Sequence, residues 1–220
     1  EKNDMERYDK VYYVGAKAEE SGTMSAEIIL DYFEKNPAAD KNGDGKIQYI
    51  MITGEPGHQD ATLRTQYATA ALGEKGVKLA EDTALWNKAT ATDIMAGFLT
   101  NYGADKIEAV LANNDDMALG AIEALKAQGY NKGDATKFIP VVGVDATAAA
   151  LSAMENGEML GTVLNDAAAQ GEATMKVAAA AARGEKIDQT TVGYDLEGGK
   201  YLYIPYVKVT MENLSEIKGS

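Results

Sequence analysis

One short segment carries oxygen-bearing side chains at the spacing of a calcium-binding loop. Residues 40–51 read DKNGDGKIQYIM. Such a twelve-residue loop has oxygen ligands at positions one, three, five and nine, Gly at six, a backbone carbonyl at seven and a bidentate Glu at twelve. The residues that match in turn are Asp40, Asn42, Asp44, Gln48, Gly45 and Lys46. The twelfth residue is Met51, so calcium would need a carboxylate from elsewhere in the chain. Without one, the segment is a hydrated Asn-Gly-Asp-Gly turn.

A second group of side chains follows the predicted strands, and its residue types suit a sugar. In open parallel sheets the ligand crevice lies beyond the carboxyl ends of the strands. Asp, Asn and Arg side chains can bridge neighbouring hydroxyls, while an aromatic ring covers the apolar face of a pyranose. The residues at these strand ends are Glu55, His58, Asp60, Arg64, Trp86, Asn113, Asn114, Asp145 and Asn165. Together they predict one polar binding edge with a single flat ring.

Each of these residues also has a purely structural interpretation. Asp60, Asn114 and Asp145 stand where helix N-caps stand. Arg64 follows Asp60 by four residues, which is the spacing of a helical ion pair. A lone Trp is commonly a core residue, and a lone His near a helix start is commonly solvated. The binding interpretation depends on all of these residues meeting at one edge.

The sequence gives little support to enzymatic chemistry. It contains no GxxxxGK[ST] phosphate loop, no GxSxG nucleophile elbow and no GxGxxG after the first predicted strand. His58 is the only His and there is no Cys, which excludes histidine-rich and zinc-cysteine sites. The carboxylates of Asp60 and Asp145 could in principle hydrolyse a glycoside. A flanking Arg64 would, however, keep both ionised and unsuited to act as a general acid.

The overall charge narrows the classes of partner. The chain of 220 residues has 34 Asp and Glu against 21 Lys and Arg, a net charge of −13. Nucleic acid and anionic lipid are therefore poor partners, whereas calcium and neutral ligands remain open. No apolar run approaches membrane-spanning length. The polar start EKNDMERYDK is no signal peptide, so we expect a mature or trimmed chain.

Strand-length apolar runs alternate with longer helical patterns, which predicts parallel strands joined by crossover helices. The predicted strands are residues 11–15, 47–54, 77–82, 107–114, 138–146 and 160–166. The predicted helices are residues 21–36, 60–75, 88–102, 115–128, 147–156 and 167–183. Between residues 189 and 210 apolar and polar residues alternate around a Gly-Gly turn. That pattern predicts extended strands or a hairpin.

Several long motifs resemble one protein family. The runs DKNGDGKIQ, GEPGHQDATLRT, DTALWN, KIEAVLANNDDMALGAIEALKAQG, VVGVDA, GTVLND and YIPYV occur in this order between residues 8 and 217. They are similar to runs of the D-galactose/D-glucose-binding proteins, the periplasmic receptors of ABC sugar importers and of chemotaxis. The resemblance implies a non-enzymatic receptor with an α/β, periplasmic binding protein-like fold and a doubly wound parallel sheet.

The resemblance also implies residue roles. In that family a later strand supplies the carboxylate that completes the calcium loop, and the matching residue is Glu108. The implied ligands of a structural Ca²⁺ are Asp40, Asn42, Asp44, Lys46 through its carbonyl, Gln48 and Glu108. The implied sugar contacts are His58, Asp60, Arg64, Trp86, Asn114, Asp145 and Asn165. Trp86 would stack on one face of the pyranose and His58 would reach its edge, while the remaining groups hold the hydroxyls.

Members of that family have two lobes joined by three strands, and this chain matches mostly the second lobe. We expect residues 1–17 to hold a first-lobe strand and the first hinge crossing, and residues 18–163 to form a complete calcium-bearing second lobe. Residues 164–207 would contain a hinge, a helix and strands of the first lobe and the return hinge, and residues 208–220 would return to the second lobe. We therefore expect a truncated receptor with half of the sugar site. Its Ala-rich first-lobe helix would expose apolar surface and favour self-association.

Partners and a compartment are implied as well. We expect weak binding of D-galactose or D-glucose, and an ABC permease and a chemoreceptor as partners of the intact protein. We expect a periplasmic location or, through a lipid anchor, one at the cell surface. An alternative is the effector-binding domain of a sugar-responsive transcription repressor, although no helix-turn-helix or basic segment supports it. A glycoside or sugar-phosphate enzyme is a third class, and it predicts turnover.

Overall fold

The chain forms two compact units. The computed structural model describes residue 5 and residues 7–219, so the ends of the predicted segments 1–17 and 208–220 lie outside the described residues. The large unit comprises residues 18–164 and 207–219, and the small unit comprises the described part of residues 1–17 together with residues 165–206. The chain therefore passes between the units after residues 17, 164 and 206. These positions lie within one residue of the predicted segment boundaries.

Strands and helices alternate along most of the described chain. The strands are β1 (Tyr13–Gly15), β2 (Ile47–Thr53), β3 (Gly76–Thr83), β4 (Ala109–Ala112), β5 (Val141–Val142), β6 (Thr162–Leu164), β7 (Tyr201–Tyr203) and β8 (Val207–Val209). The helices are α1 (Ala18–Lys35), α2 (Gln59–Leu72), α3 (Lys88–Tyr102), α4 (Asp115–Ala127), α5 (Ala148–Glu155), α6 (Ala167–Ala182), α7 (Gln189–Val192) and α8 (Leu214–Gly219). None of these helices is long and apolar enough to cross a membrane.

A parallel sheet of four strands forms the centre of the large unit, in the order β3-β2-β4-β5. The central strand β2 pairs with β3 on one side and with β4 on the other, where Tyr49 lies beside Ala109. Helix α1 packs against α2, and α3 packs against α4. Crossover helices of this kind cover a doubly wound sheet, which explains why β2 is buried along nearly its whole length. The predicted parallel α/β fold is confirmed.

The core of the large unit joins the sheet to the helices that cross over it. Ile50 and Val110 of the sheet pack with Met95 of α3 and with Ile122 and Leu125 of α4, and all five side chains are almost fully buried. Burial of a large apolar side chain stabilises a fold by about 1.5–3 kcal/mol. This core fixes the position of the carboxyl ends of the strands, where the predicted binding edge lies.

The small unit has its own apolar cluster. Strands β1 and β7 pair in parallel, and helix α6 buries Ala173, Val177 and Ala180 against neighbours that include Leu202. Part of the Ala-rich face is therefore covered within the small unit, in contrast to the exposed surface that we expected. Met175, on the same helix, remains 69% exposed. Self-association through this unit stays a prediction.

The segment of residues 189–210 was predicted to form extended strands or a hairpin, and it contains two short extended strands, β7 and β8, that do not pair with each other. A short helix, α7, begins the segment, and the side chain of Asp188 accepts a hydrogen bond from the Thr191 amide at its start. Strand β7 pairs with β1, while β8 pairs antiparallel with β6. Alternating polarity indicates an extended strand but does not identify its partner, because both partners here lie far away in the sequence. The Gly-Gly turn closes only a single bridge between Glu197 and Tyr201.

Candidate ligand-binding site

Four neighbouring strands of the large unit end at the same edge of the sheet. His58 and Asp60 follow β2, Trp86 follows β3, Asn114 follows β4 and Asp145 follows β5. Because the strands are parallel and adjacent, their carboxyl ends lie side by side. The fold therefore positions these side chains along one edge.

Helix α2 starts at this edge, and His58 caps it. The His58 Nδ1 atom accepts a hydrogen bond from the Asp60 amide at 3.2 Å, so a neutral ring carries its proton on Nε2. Asp60 lies inside the first turn and is not the N-cap, which corrects the structural alternative considered for it. The His58 and Trp86 rings meet edge to face, with centroids 5.1 Å apart. This contact joins the ends of two strands.

Arg64 lies one turn further along α2 and is 5% exposed. One guanidinium nitrogen donates to the Asn113 carbonyl at 2.7 Å, and another donates to Asp60 at 3.2 Å. The guanidinium carbon lies 5.9 Å from the centroid of the Trp86 ring. A buried cation is tolerated only when it is paired and hydrogen-bonded. The ion pair with Asp60 is therefore present, as its spacing indicated, but the same Arg also links the helix to the strand end and to the ring.

Trp86 is held in an uncommon backbone conformation. Leu85 and Trp86 have φ angles of 54° and 64°, in the left-handed region that costs energy for residues other than Gly. The indole lies directly against Gly54, where an added Cβ would come within 2.3 Å of the ring. Trp86 is partly buried and packs against the core of the large unit. Its strained turn and the absent side chain at Gly54 together set the position of the ring.

Asn113 is a site residue for which the sequence analysis assigned no role. It is 3% exposed. Its side-chain oxygen accepts a hydrogen bond from the Gly54 amide at 2.9 Å, and its carbonyl accepts from Arg64. A second side-chain contact reaches the hydroxyl of Thr65. Asn113 therefore joins the end of β4 to the end of β2 and to α2. Its position at the end of a predicted strand was the only feature of the sequence that pointed to this role.

Asn114 and Asp145 complete the edge in the large unit. Asn114 caps α4 by accepting the Met117 amide at 2.9 Å, which confirms its capping alternative. Asp145 caps no helix, because the N-cap of α5 is Thr147. Asp145 and Ala146 instead have φ angles of 123° and 56°. Asn165 belongs to the small unit, where its side-chain oxygen accepts a hydrogen bond from Gln170.

A buried carboxylate that the sequence analysis did not single out lies behind Asp145. Asp115, the first residue of α4, is fully buried. Burial raises its pKa to about 7, and the neighbouring charge of Asp145 adds to that rise. Hydrogen bonds from Thr162 and from Thr147 act in the opposite direction, because they favour the ionised form. Burial outweighs them.

The calcium-type loop folds around its own backbone amides. Asp40 accepts hydrogen bonds from Gly43 and Gly45, and Asp44 accepts one from Lys46. After these turns the loop runs directly into β2, which begins at Ile47, as expected for a loop that continues into a strand. Within the described residues, no three His, Cys, Asp or Glu side chains form a ready metal cluster.

Glu108 lies where the loop meets the sheet, and it is 2% exposed. Its two carboxylate oxygens accept the amides of Lys41 and Gln48 at 2.6 and 3.0 Å, and its own amide donates to the Gln48 carbonyl. Gln48 donates to Asp44, yet its Oε1 atom is buried and has no hydrogen-bond partner. An orphaned oxygen beside carboxylate and amide oxygens is the kind of donor that a Ca²⁺ ion accepts. The residues present therefore fit the ion.

The parallel sheet and its polar carboxyl-end edge define an α/β protein of the ligand-binding class. The chain belongs to the periplasmic binding protein domain family, whose model matches residues 2–186.

Known proteins with similar sequences and structures agree with this family. The chain is 40% identical over 212 residues to the D-galactose/methyl-galactoside binding periplasmic protein of Haemophilus influenzae. This alignment covers 95% of this chain and 61% of the relative. An ABC transporter solute binding protein of Bacillus halodurans, solved with bound myo-inositol, is 31% identical with a TM-score of 0.77, covering 94% of this chain and 63% of that structure. A solute binding protein of Actinobacillus succinogenes with bound D-allose has a TM-score of 0.78 at 22% identity, covering 97% and 66%, and so supports the fold alone. The chain thus spans about three fifths of the length of the Haemophilus relative.

Proposed function

We propose that the large unit carries half of a D-galactose or D-glucose site and that the chain belongs to a sugar receptor without enzymatic activity. The supporting observation is the group formed by Trp86, His58, Arg64 and Asp60 at the carboxyl-end edge of the sheet, where an aromatic ring adjoins the ion pair between a buried Arg64 and a partly exposed Asp60. A pyranose offers an apolar C–H face and a rim of hydroxyls, and this group has a partner for each.

The roles of the residues follow from their anchoring. Trp86 covers one face of the ring, because its indole is fixed against Gly54. Asp60 accepts hydrogen bonds from sugar hydroxyls, and Arg64 donates hydrogen bonds to them. The ion pair between the two residues orients both side chains before the sugar binds. Asn114 and Asp145 supply further hydroxyl partners from the next two strand ends, and His58 binds the ring edge. Asn165 keeps only the role that the family resemblance implies, that of a further sugar contact.

The loop of residues 40–48, with Glu108, is proposed to hold a structural calcium ion. Its ligands would be the side-chain oxygens of Asp40, Asn42, Asp44, Gln48 and Glu108 and the carbonyl of Lys46. Oxygen-only ligation with three carboxylates suits Ca²⁺ and not Zn²⁺. The ion would cross-link the loop to the start of β4 and satisfy the buried Gln48 Oε1. It would stabilise the fold and take no part in sugar chemistry.

The same proposal extends to partners and compartment. The whole receptor would deliver its sugar to an ABC permease and signal to a chemoreceptor, and it would be located in the periplasm or, through a lipid anchor, at the cell surface. Family membership and the name of the Haemophilus relative support a periplasmic sugar receptor. We expect the chain alone to bind sugar more weakly than a two-lobed receptor, since closure around the ligand buries more of it.

Trp86 provides a direct test, because it is the only Trp in the chain. Its fluorescence would be titrated with D-galactose and with D-glucose in calcium-saturated buffer, and D-ribose would serve as the control sugar. We expect a saturable change with one or both hexoses and none with D-ribose. An equal response to all three sugars, or no response to any, would contradict the proposed half-site.

A pair of variants ties the response to this edge of the sheet. Asp60→Asn keeps the side-chain shape but removes the charge that pairs with Arg64. Hydrogen bonds to charged groups contribute about 1.5–3 kcal/mol, so we expect its affinity to fall by about tenfold or more. Asp82→Asn makes the same chemical change at an exposed carboxylate near the end of β3 and should leave the affinity unchanged. Equal losses in both variants would show that charge alone, without the site, governs binding.

A further inference from the structure

The turn that carries Asp145 is strained. Asp145 and Ala146 have φ angles of 123° and 56°, and neither residue is Gly. Such a conformation costs energy for a residue with a side chain and persists only when surrounding contacts impose it. Asp145 caps no helix, so the strain is not explained by the start of α5. Other groups must hold this turn.

Two buried side chains bind the backbone of the turn. Asp115 accepts the Thr147 amide at 2.7 Å through one carboxylate oxygen, and it accepts the Thr162 hydroxyl at 2.6 Å through the other. The Thr162 oxygen in turn accepts the Ala146 amide at 3.3 Å. Asp115 and Thr162 both have an exposed fraction of zero. The two amides that follow Asp145 are therefore held by one connected pair of side chains.

The carboxylate of Asp115 is not used by its own helix. Asn114 caps α4, so Asp115 at the first helical position has both oxygens directed to other segments. Its amide donates to the Val144 carbonyl at 2.8 Å, just before the turn. An added Cβ at Gly143 would meet the Asp115 carboxylate at 2.4 Å. The backbone on the amino side of the turn is thus shaped around this carboxylate as well.

We propose that Asp115 and Thr162 are positioning residues, which impose the left-handed turn at Asp145 and Ala146 and thereby aim the Asp145 carboxylate at the ligand. This inference rests on the proposed function of Asp145 as a sugar contact. Neither positioning residue touches the ligand, because both are fully buried. Asp145 would act as a ligand group only in the orientation that this pair gives it.

The test combines a local measurement without sugar and a binding measurement. Thr162→Val removes the hydroxyl with little change in volume, Thr162→Ser retains it, and Asp115→Asn removes the charge. Asp116→Asn is the matched control, because Asp116 is the next residue of α4 and is exposed. Amide hydrogen exchange by NMR follows Ala146 and Thr147, with Val110 and Leu111 of β4 as reference amides. Calorimetry follows D-galactose binding.

We expect Thr162→Val to speed exchange at Ala146, and Asp115→Asn to speed it at Thr147, each by about tenfold, with the reference amides unchanged. Thr162→Ser and Asp116→Asn should behave like the unmodified chain. D-galactose affinity should fall about tenfold in Thr162→Val and recover in Thr162→Ser. Unchanged exchange at both amides would overturn the inference, and so would faster exchange with full affinity. If the unmodified chain binds no sugar, the exchange rates alone decide whether the pair holds the turn, and the failure belongs to the proposed sugar site.

Discussion

The buried carboxylate of Asp115 makes the stability of the large unit depend on pH in a defined direction. Its pKa is raised from 3.8 to about 7, mainly by burial. A group whose pKa is raised on folding binds protons more tightly in the folded state, so its favourable contribution is complete below the unfolded value and is lost as the pH rises through 7. We therefore expect this residue to weaken the fold progressively between about pH 4 and pH 8.

The size of the effect follows from the two pKa values. Each pH unit between them is worth about 1.4 kcal/mol, so the full cost of ionising Asp115 in the folded chain is about 4 kcal/mol. About 2.5 kcal/mol of this cost develops between pH 5 and pH 8. Asp115→Asn removes the titrating group with little change in side-chain volume, and any hydrogen bond lost in the variant is lost equally at every pH. The variant should therefore gain about 2.5 kcal/mol relative to the unmodified chain over that interval.

Urea unfolding at pH 5, 6, 7 and 8 would measure this difference. The comparison with Asp115→Asn at each pH cancels the titration of the other carboxylates. Asp116→Asn, which alters an exposed carboxylate in the same turn, should show no such trend. If the free-energy difference between Asp115→Asn and the unmodified chain is constant from pH 5 to pH 8, or changes with the opposite sign, hydrogen bonding outweighs burial and the reasoning fails.

Three further perturbations test other parts of the structure. Glu108→Gln should abolish stabilisation by calcium. In the unmodified chain, calcium at a hundredfold excess over its dissociation constant should stabilise the fold by about 2.7 kcal/mol, or roughly 5–10 °C in melting temperature. An undiminished calcium-induced shift of the melting temperature in the variant would exclude the site. Gly54→Ala should displace the Trp86 ring at a cost of about 1–3 kcal/mol, and an unshifted Trp emission spectrum would contradict that packing. Leu125→Ala should lower the free energy of unfolding, measured in urea, by about 2–5 kcal/mol. Leu85→Ala, at an exposed position, should lower it by under about 0.5 kcal/mol. A loss as small in Leu125→Ala as in Leu85→Ala would show that Leu125 is not a core residue.

Local patterns were sufficient to predict the parallel fold of the large unit. The helix α3 begins and ends at the predicted residues, because the Asn87 side chain caps it and Gly103 follows its last turn. Strand β5 is only two residues long, although an apolar run of nine residues predicted it. Pro140 has no amide hydrogen to contribute to pairing, and the chain turns sharply after Val144. Apolar runs therefore located the strands but overestimated the lengths of most of them, β3 being the exception.

The predicted site residues were recognised by type and by position at a strand end. That criterion found the groups that we propose as ligand contacts but not those that hold them in place. Asn113 was noted only as a polar strand end, and Asp115 entered only as the first residue of a predicted helix. Their importance lies in hydrogen bonds to residues far away in the sequence, such as Gly54 and Thr162. No local spacing encodes such contacts, so the sequence alone could not indicate them.

Because the chain crosses between its two units three times, each unit is assembled from segments that are synthesised at different times. Strand β1 leaves the ribosome before its partner β7, which is made about 190 residues later, a delay of about 10–40 s at 5–20 residues per second. In the large unit, β6 likewise waits for β8. Both of these two-stranded sheets therefore close only after β7 and β8 have been made. A nascent chain interrupted before Tyr201 would leave strands in both units with unpaired edges, which are templates for aggregation.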